Sequence, residues 1–224
     1  VNFNIPRKKI IITYDENRGK KIYEDLKNLN VKDVFFFPKK EDFFYNSIAR
    51  SLDSQNKQVE AMWNLLYKDA IIVTTIEACL NKVMSKEIFD KNSYYIDLSD
   101  KIDIEEFSEI LIQSGYENVY SVEGKGQFSI RGGIIDIFSP IHDYPYRIEL
   151  FDDEIDSIRI FDPKSQRSIE NCEFIQISPA MENILLKEKV NPLVNSLVED
   201  LNSTKIKDEG ILRRLNEKFG EIIG

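Results

Sequence analysis

The apolar residues of this chain change their spacing part-way along it, and that change constrains the fold more than any other feature. In the first part, short continuous runs rich in Ile, Val and Phe occupy residues 8–14, 32–37 and 70–75. Such runs are typical of strands buried on both faces. Helical spacings at 17–29 and 59–67 separate them. Strand-helix-strand order therefore predicts a parallel α/β sheet.

The middle of the chain has a period of two instead. A helix is predicted at 104–113, with Asp103 as its N-cap and Gly115 after its last turn. Beyond it, apolar and polar residues alternate in short runs separated by the turn formers Gly, Pro, Ser and Asp. This pattern predicts a smaller α+β region with a mostly antiparallel sheet. Its predicted strands are 118–122, 127–131, 134–138, 146–151, 157–161 and 172–177.

From Pro179 the spacing is helical again. Leu193, Leu197 and Leu201 repeat on one helical face, and a second apolar face follows at 211–219 after a polar break. Two C-terminal helices are therefore predicted.

The charge balance limits the kinds of partner that the chain can bind. It carries 39 acidic and 30 basic residues, a formal net charge of −9. Phosphate-backbone binding needs a clustered positive surface, so it is not expected to be the main task, although a local basic patch stays open. No apolar run approaches the roughly 20 residues of a membrane helix, and the first six residues lack the pattern of a signal peptide. We therefore expect a cytoplasmic protein without a membrane partner.

Motifs of nucleotide binding are not found in the sequence. It has no P-loop, and Gly19-Lys20 is interpreted as a solvated helix start. Gly124-Lys125-Gly126 is interpreted as a hairpin turn, because a strand pattern follows it rather than a helix. The acids at 152–156 are interpreted as an exposed turn, since they lack the alternation of a calcium loop. No cofactor is therefore expected in this chain.

Metal, disulfide and histidine chemistry also have little support. His142 is the single histidine. Cys79 and Cys172 each lie in an apolar stretch and are predicted to be small buried side chains rather than a disulfide. We predict no catalytic residue and no metal site.

Two of the predicted strands have one face that is not apolar. Successive side chains of a strand point to opposite sides, so the apolar ones face the core and the others face away from it. If the two strands share a sheet, Arg131, Arg147 and Phe151 can lie together, and we call these three residues the candidate surface. The residues predicted to face away are Gln127, Ser129 and Arg131 in one strand and Arg147, Glu149 and Phe151 in the other.

The candidate surface has two interpretations, and alternation does not decide between them. Arginine and aromatic side chains are over-represented at binding hot spots, which makes the three residues candidates for binding a partner. Alternatively, Phe151 packs under the helix at 104–113, and the arginines pair with Asp152 or Glu149.

A longer run of residues resembles a known family. The sequence from 126 to 169, GQFSIRGGIIDIFSPIHDYPYRIELFDDEIDSIRIFDPKSQRSI, is similar to the signature shared by the excision-repair protein UvrB and the transcription-repair coupling factors. The resemblance continues upstream through Phe37-Pro38, Phe43-Phe44-Tyr45 and 70–73, and downstream through 177–180. It therefore covers most of the chain.

Within this shared signature, the coupling factors are favoured over UvrB. Residues 151–157 and 162–168 resemble the coupling-factor sequences more closely. UvrB also carries a P-loop and an aromatic-rich hairpin that grips damaged DNA, and neither is found here. The second hypothesis, an N-terminal fragment of a UvrB-type damaged-DNA-binding ATPase, therefore ranks below the N-terminal, UvrB-like module of a coupling factor.

The resemblance implies a domain organisation. Residues 1–92 would begin a degenerate, helicase-like α/β domain without ATPase motifs. Residues 93–178 would form a smaller inserted α+β domain that binds the repair protein UvrA. Residues 179–224 would return as helices that pack on the first domain.

The resemblance also implies the binding residues. Carried over by position, the UvrA-contacting residues are Arg131, Arg147 and Phe151, the same three as in the candidate surface. Asn118 and Ser129 stand where UvrB has arginines of the same interface. A weaker or differently weighted contact with UvrA is therefore expected.

A function for the longer protein follows from the same resemblance. This chain would be its non-catalytic recruitment module. The longer protein would be a translocase on DNA that uses ATP and magnesium to remove stalled RNA polymerase in transcription-coupled nucleotide excision repair. Other parts of it would bind RNA polymerase and DNA, and its C-terminal domain would mask the UvrA-binding residues until polymerase is engaged.

Overall fold

A computed structural model of the protein describes residues 8–40 and 48–182, which lie within one compact unit, Val1–Asn183. The predicted C-terminal helices lie outside the described residues. The helices are α1 (Glu16–Asn28), α2 (Ile48–Tyr67), α3 (Ile76–Cys79), α4 (Lys86–Lys91) and α5 (Ile104–Gln113). The strands are β1 (Lys9–Thr13), β2 (Val34–Phe37), β3 (Ile71–Thr75), β4 (Tyr94–Asp97), β5 (Glu117–Asn118), β6 (Gln127–Arg131), β7 (Ile134–Phe138), β8 (Tyr146–Phe151), β9 (Glu154–Phe161), β10 (Ser168–Cys172) and β11 (Phe174–Ile177).

The first three strands form the predicted parallel sheet. Its order is β1-β3-β2, and β3 pairs in parallel with both neighbours. Leu26 of α1 packs with Val73 on one side of the sheet, and Ala61 of α2 packs with Ile72 on the other. The central strand is buried throughout, as its continuous apolar run predicted. For the edge strand β1 that prediction is wrong, because its position at the edge leaves Ile10 and Ile12 more than half exposed.

Gly19 lies within α1, where that helix meets the sheet. A Cβ on Gly19 would stand 3.0 Å from a ring carbon of Phe36 and 3.2 Å from the hydroxyl oxygen of Thr13. The glycine is buried, so its interpretation as a solvated position is wrong, whereas Lys20 is exposed and pairs with Glu16. Its lack of a side chain lets α1 approach the strands closely.

The second sheet has six strands in the order β10-β9-β8-β7-β6-β5. Strands β6 to β10 pair antiparallel, as predicted, with every neighbour in sequence also a neighbour in space. Strand β5 instead pairs in parallel with β6. The interpretation of Gly124-Lys125-Gly126 as a hairpin turn is therefore wrong, because residues 119–126 must cross from one end of β6 to the other. The predicted strand at 118–122 is reduced to Glu117–Asn118 for the same reason.

Helix α5 closes one face of this sheet. Asp103 accepts a hydrogen bond from the backbone N–H of Glu106 at 2.9 Å, and Gly115 follows the helix with φ +89, so both predicted ends are confirmed. Phe107 and Leu111 are buried in one core with Phe128, and isoleucines of β7, β8 and β9 complete it. This apolar layer is what the period-two pattern predicted.

A third, two-stranded sheet was not predicted. It pairs β4 with β11 in antiparallel fashion, so residues 94 and 177 lie side by side. The predicted strand 172–177 contains β11, but sequence reasoning missed β4 and all of β10 except Cys172, because each strand is short and only β11 alternates clearly. The consequence is that the chain enters and leaves the second sheet region at one place.

Helix α2 also contacts the middle of the chain. Its Val59 and Trp63 form a buried cluster with Phe89, against which Ile141 of the β7–β8 loop packs. Near the middle of the helix, the Asn56 amide donates to the Lys125 carbonyl at 3.3 Å. Helix α2 thus contacts the loop between β5 and β6, in which Lys125 lies.

The two cysteines are both free, and the prediction that they are buried is wrong for one of them. Cys79 is exposed, because it ends the one-turn helix α3 at the surface, and Cys172 is partly buried.

Among the described helices, none combines the length and apolar character needed to cross a bilayer.

Candidate protein-docking site

One face of the six-stranded sheet carries a row of polar and charged side chains. The strand register places Ser129, Asp136, Arg147 and Arg159 beside one another on successive strands from β6 to β9. The residues that alternate with them belong to the core under α5. The row therefore lies on the opposite face, which we call the charged face, and all three residues of the candidate surface are on it.

A single buried carboxylate joins the two arginines of the candidate surface. The side chain of Asp136 has no exposed area. Arg147 donates to it in bidentate fashion, Nε to Oδ1 at 2.6 Å and Nη2 to Oδ2 at 2.9 Å. Arg131 donates from Nη2 to Oδ2 at 2.7 Å. A buried carboxylate needs such charge-assisted bonds, so Asp136 fixes both guanidinium groups in place.

Arg147 is held on a second side as well. Its guanidinium carbon lies 4.6 Å from the centre of the Phe161 ring, and only 16% of its side chain is exposed. The hydrogen bonds to Asp136 raise the pKa of Arg147 above its ordinary value. Arg147 is therefore mostly a buried structural cation, whereas Arg131 leaves 39% of its side chain exposed.

Phe151 is the exposed member of the candidate surface. It ends β8 directly before a tight turn in which Asp152 has φ +61, and 80% of its area is exposed. The turn is fastened from outside, since the Lys101 ammonium lies 3.1 Å from Asp153 and 3.0 Å from Glu154. The acidic residues are thus an exposed turn, as predicted, and the Phe151 ring is presented by a well-anchored hairpin.

The loop of residues 119–126 between β5 and β6, which we call the crossing loop, borders the charged face next to β6. The carbonyl oxygen of Tyr120 accepts hydrogen bonds from Arg131 Nη1 at 3.2 Å and from the Ser129 hydroxyl at 3.1 Å. Ser129 is therefore buried, and the prediction that it faces solvent is wrong. Alternation gave the correct face for Ser129, but the loop that covers this part of the face could not be inferred from it.

Comparison with known families identifies this part of the chain. Residues 95–182 match the UvrB interaction domain family. They form a UvrB interaction domain. The matched range contains the whole six-stranded sheet, helix α5 and strand β11, together with the three residues of the candidate surface.

The chain as a whole is homologous to transcription-repair-coupling factors. It is 33% identical over 181 residues, 80% of its length, to the transcription-repair-coupling factor of Bacillus subtilis strain 168. It is 29% identical over 213 residues, 94% of its length, to the corresponding factors of Staphylococcus aureus strains RF122/ET3-1 and MRSA252. The chain spans only 15% to 18% of the length of these relatives.

In this UvrB interaction domain, the alternative interpretation of the candidate surface is wrong. Phe151 lies on the face opposite to α5, so it does not pack under that helix. The arginines pair with Asp136 rather than with Asp152 or Glu149, and Glu149 pairs instead with Arg159. The sequence signal for Asp136 was a lone acid within the apolar run of β7, on the same side as the arginines.

The charged face of the UvrB interaction domain carries charges of both signs. Arg131 and Arg147 pair with Asp136, Arg159 pairs with Glu149, and Glu154 lies opposite Phe151. Within residues 8–40 and 48–182, no group of three or more His, Cys, Asp or Glu side chains is placed to hold a metal ion. A rigid apolar ring beside a partly exposed guanidinium is an arrangement that suits protein recognition.

Proposed function

We propose that residues 93–178 bind UvrA through the candidate surface, and that the chain serves as a recruitment module in transcription-coupled nucleotide excision repair. The observation that carries this proposal is the Phe151 ring, 80% exposed on an anchored hairpin and on the same face as the two arginines. The UvrB interaction domain and the coupling-factor relatives support it.

The three residues have different roles in this proposal. Phe151 is the anchor that enters an apolar site on UvrA, because a large exposed ring gains most from being buried. Arg131 supplies a partly exposed cation for a carboxylate of the partner. Arg147 acts indirectly, since it holds Asp136 and thereby the Arg131 guanidinium. Asn118 and Ser129 are uncharged, so neither adds charge to the contact, in keeping with a weaker interface than that of UvrB.

The proposed domain organisation places this site on an insertion. Residues 1–92 and 179–224 belong to a degenerate helicase-like domain, and residues 93–178 are inserted into it. The β4–β11 pair supports this division, because it brings the two ends of the insertion together. The parallel β1-β3-β2 sheet, with helices on both sides, supports the assignment of the first part.

The longer protein is proposed to be an ATP-dependent DNA translocase of the cytoplasm that removes stalled RNA polymerase. ATP, magnesium, DNA and RNA polymerase are bound by its other parts, and this chain is non-catalytic. Its C-terminal domain covers the candidate surface until polymerase is engaged. The coupling-factor relatives favour this proposal over a UvrB-type ATPase fragment.

The test is a binding titration of this chain against UvrA by calorimetry. The unaltered chain is expected to bind, Phe151→Ala to weaken binding at least about tenfold, and Arg131→Ala to weaken it by a smaller factor that shrinks in added salt. Tyr144→Ala is the matched control, because this half-exposed tyrosine lies in the β7–β8 loop at the other end of the sheet. Failure of the unaltered chain to bind UvrA would refute the proposal. Equal effects of Tyr144→Ala and Phe151→Ala would refute the placement of the site.

A further inference from the structure

A second exposed aromatic residue borders the charged face. Tyr120, in the crossing loop between β5 and β6, is 87% exposed, more than any other large apolar side chain that the structure describes. Exposing such a ring has no benefit for folding, because burying it would remove unfavourable contact with water. The loop therefore exposes the ring, and the backbone carbonyl of the same residue contacts Arg131.

The position of Tyr120 is fixed on both sides. Its carbonyl oxygen accepts the bonds from Arg131 and Ser129, and the preceding residue Val119 donates its N–H to the Phe128 carbonyl at 2.9 Å. Two residues later, Val122 is fully buried in a cluster with aromatic rings of β7 and β9. An exposed ring on an anchored loop loses little conformational entropy when a partner covers it.

Tyr120 and Phe151 lie on either side of Arg131 across the sheet. Arg147 and Phe151 are on β8, Asp136 is on β7, Arg131 is on β6, and Tyr120 lies beside the outer edge of β6. Neighbouring strands are about 4.8 Å apart, so the backbones of these two residues are separated by roughly 15 Å across the sheet. A surface of that width fits within the roughly 800 Å² that each partner contributes to an ordinary protein interface.

We propose that Tyr120 is a fourth contact residue of the UvrA-binding site, an aromatic anchor on the opposite side of Arg131 from Phe151. This inference rests on the proposed function, because it takes UvrA as the partner. It assigns the partner two apolar recesses on either side of an acidic position, the chemistry that complements two rings flanking a cation.

The structural role of Tyr120 can be separated from its contact role. Both bonds that Tyr120 accepts from Arg131 and Ser129 end on its backbone carbonyl, which alanine retains. Tyr120→Ala is therefore expected to leave the melting temperature of the chain unchanged while it removes the ring. Tyr120→Phe keeps the ring and is expected to keep affinity within about twofold of the unaltered chain.

The experiment titrates the unaltered chain, Tyr120→Ala, Tyr120→Phe, Phe151→Ala and the control Tyr144→Ala against UvrA, with a thermal melt of each. We expect Tyr120→Ala to weaken binding about tenfold with no change in melting temperature, and Tyr144→Ala to bind normally. If Phe151→Ala weakens binding but Tyr120→Ala does not, the inference fails and the proposed function stands. A lower melting temperature for Tyr120→Ala that accounts for its weaker binding also overturns the inference. Absence of binding by the unaltered chain overturns the proposed function itself.

Discussion

The two faces of the six-stranded sheet are built on different interactions. The face under α5 is a continuous apolar core, in which Phe128, Ile135 and Ile148 have no exposed area. The charged face buries a carboxylate, Asp136, under two guanidinium groups. Apolar burial is nondirectional and tolerates small shifts of position, whereas a bidentate ion pair requires a fixed geometry. The core face therefore supplies stability, and the charged face supplies a rigid platform for the exposed rings.

Burial also changes along the charged face. Arg147 at its centre is mostly buried, Arg131 is partly exposed, and Phe151 at its end is largely exposed. This gradient separates residues that maintain the platform from residues that can contact a partner. Four substitutions test the difference between the two faces, and their expected effects on stability decrease in the order given.

The largest loss of stability is expected on the core face. Phe128→Ala should lower the free energy of unfolding by about 3–5 kcal/mol, because it leaves a cavity beneath α5 in addition to the lost transfer free energy. Urea denaturation followed by circular dichroism measures this. The loss should be nearly the same at low and high salt, since no charge is involved. A loss below about 1 kcal/mol would show that this face is not the main source of stability.

The second effect is expected on the charged face. Asp136→Asn should lower the free energy of unfolding by roughly 2–4 kcal/mol, because it leaves Arg131 and Arg147 close together without their carboxylate. The lower end of that range reflects the partial exposure of Arg131, which lets water solvate it.

Salt dependence distinguishes the Asp136→Asn effect from the loss of packing. Added salt screens the repulsion between the two guanidinium groups, so the loss should shrink between about 0.05 M and 1 M salt. Glu149→Gln is the matched control, because it removes the charge of a half-exposed pair with Arg159 and should cost no more than about 1 kcal/mol. A salt-independent loss in Asp136→Asn would contradict the ionic origin of this face.

The difference between the two faces also explains which parts of the fold and of the site could be predicted from the sequence. Period-two alternation identified β6, β7 and β8, and it gave the faces of the side chains in β6 and β8, because strand geometry alone sets which side a residue occupies. It did not identify Asp136 as the partner of the arginines, because that pairing depends on which strands are neighbours and in what register. The burial of Ser129 depends on a loop that folds over the sheet, and local spacing carries no information about such a contact.

Mild acid should lower the stability of the protein through His142, on the core side of the sheet, rather than through the charged face. His142 donates a hydrogen bond from Nε2 to the Gln176 carbonyl at 2.7 Å and packs on Tyr146, and its burial lowers its pKa below the ordinary value of 6.5. The unfolded chain therefore binds a proton first as the pH falls below about 6.5, so stability contributed by neutral His142 is present above that pH and is lost toward the lower pKa of the folded state.

The melting temperature measures this effect. It should fall by no more than a few degrees between about pH 7.5 and 5.5, and part of that fall should disappear in His142→Gln, whose amide can still reach the Gln176 carbonyl. An identical pH dependence in the unaltered chain and in His142→Gln would show that the histidine is not the titrating group.

The smallest effect on stability is expected where the effect on binding is largest. Phe151→Ala is the same chemical change as Phe128→Ala, but its ring is 80% exposed, so little apolar area is returned to water on unfolding. The free energy of unfolding should stay within about 0.5 kcal/mol of that of the unaltered chain, as measured by the same urea denaturation. A loss comparable to that of Phe128→Ala would place the Phe151 ring in a packed environment and remove it from the candidate surface. Unchanged stability together with weaker UvrA binding would instead separate the two faces completely: one phenylalanine maintains the fold, and the other is available to a partner.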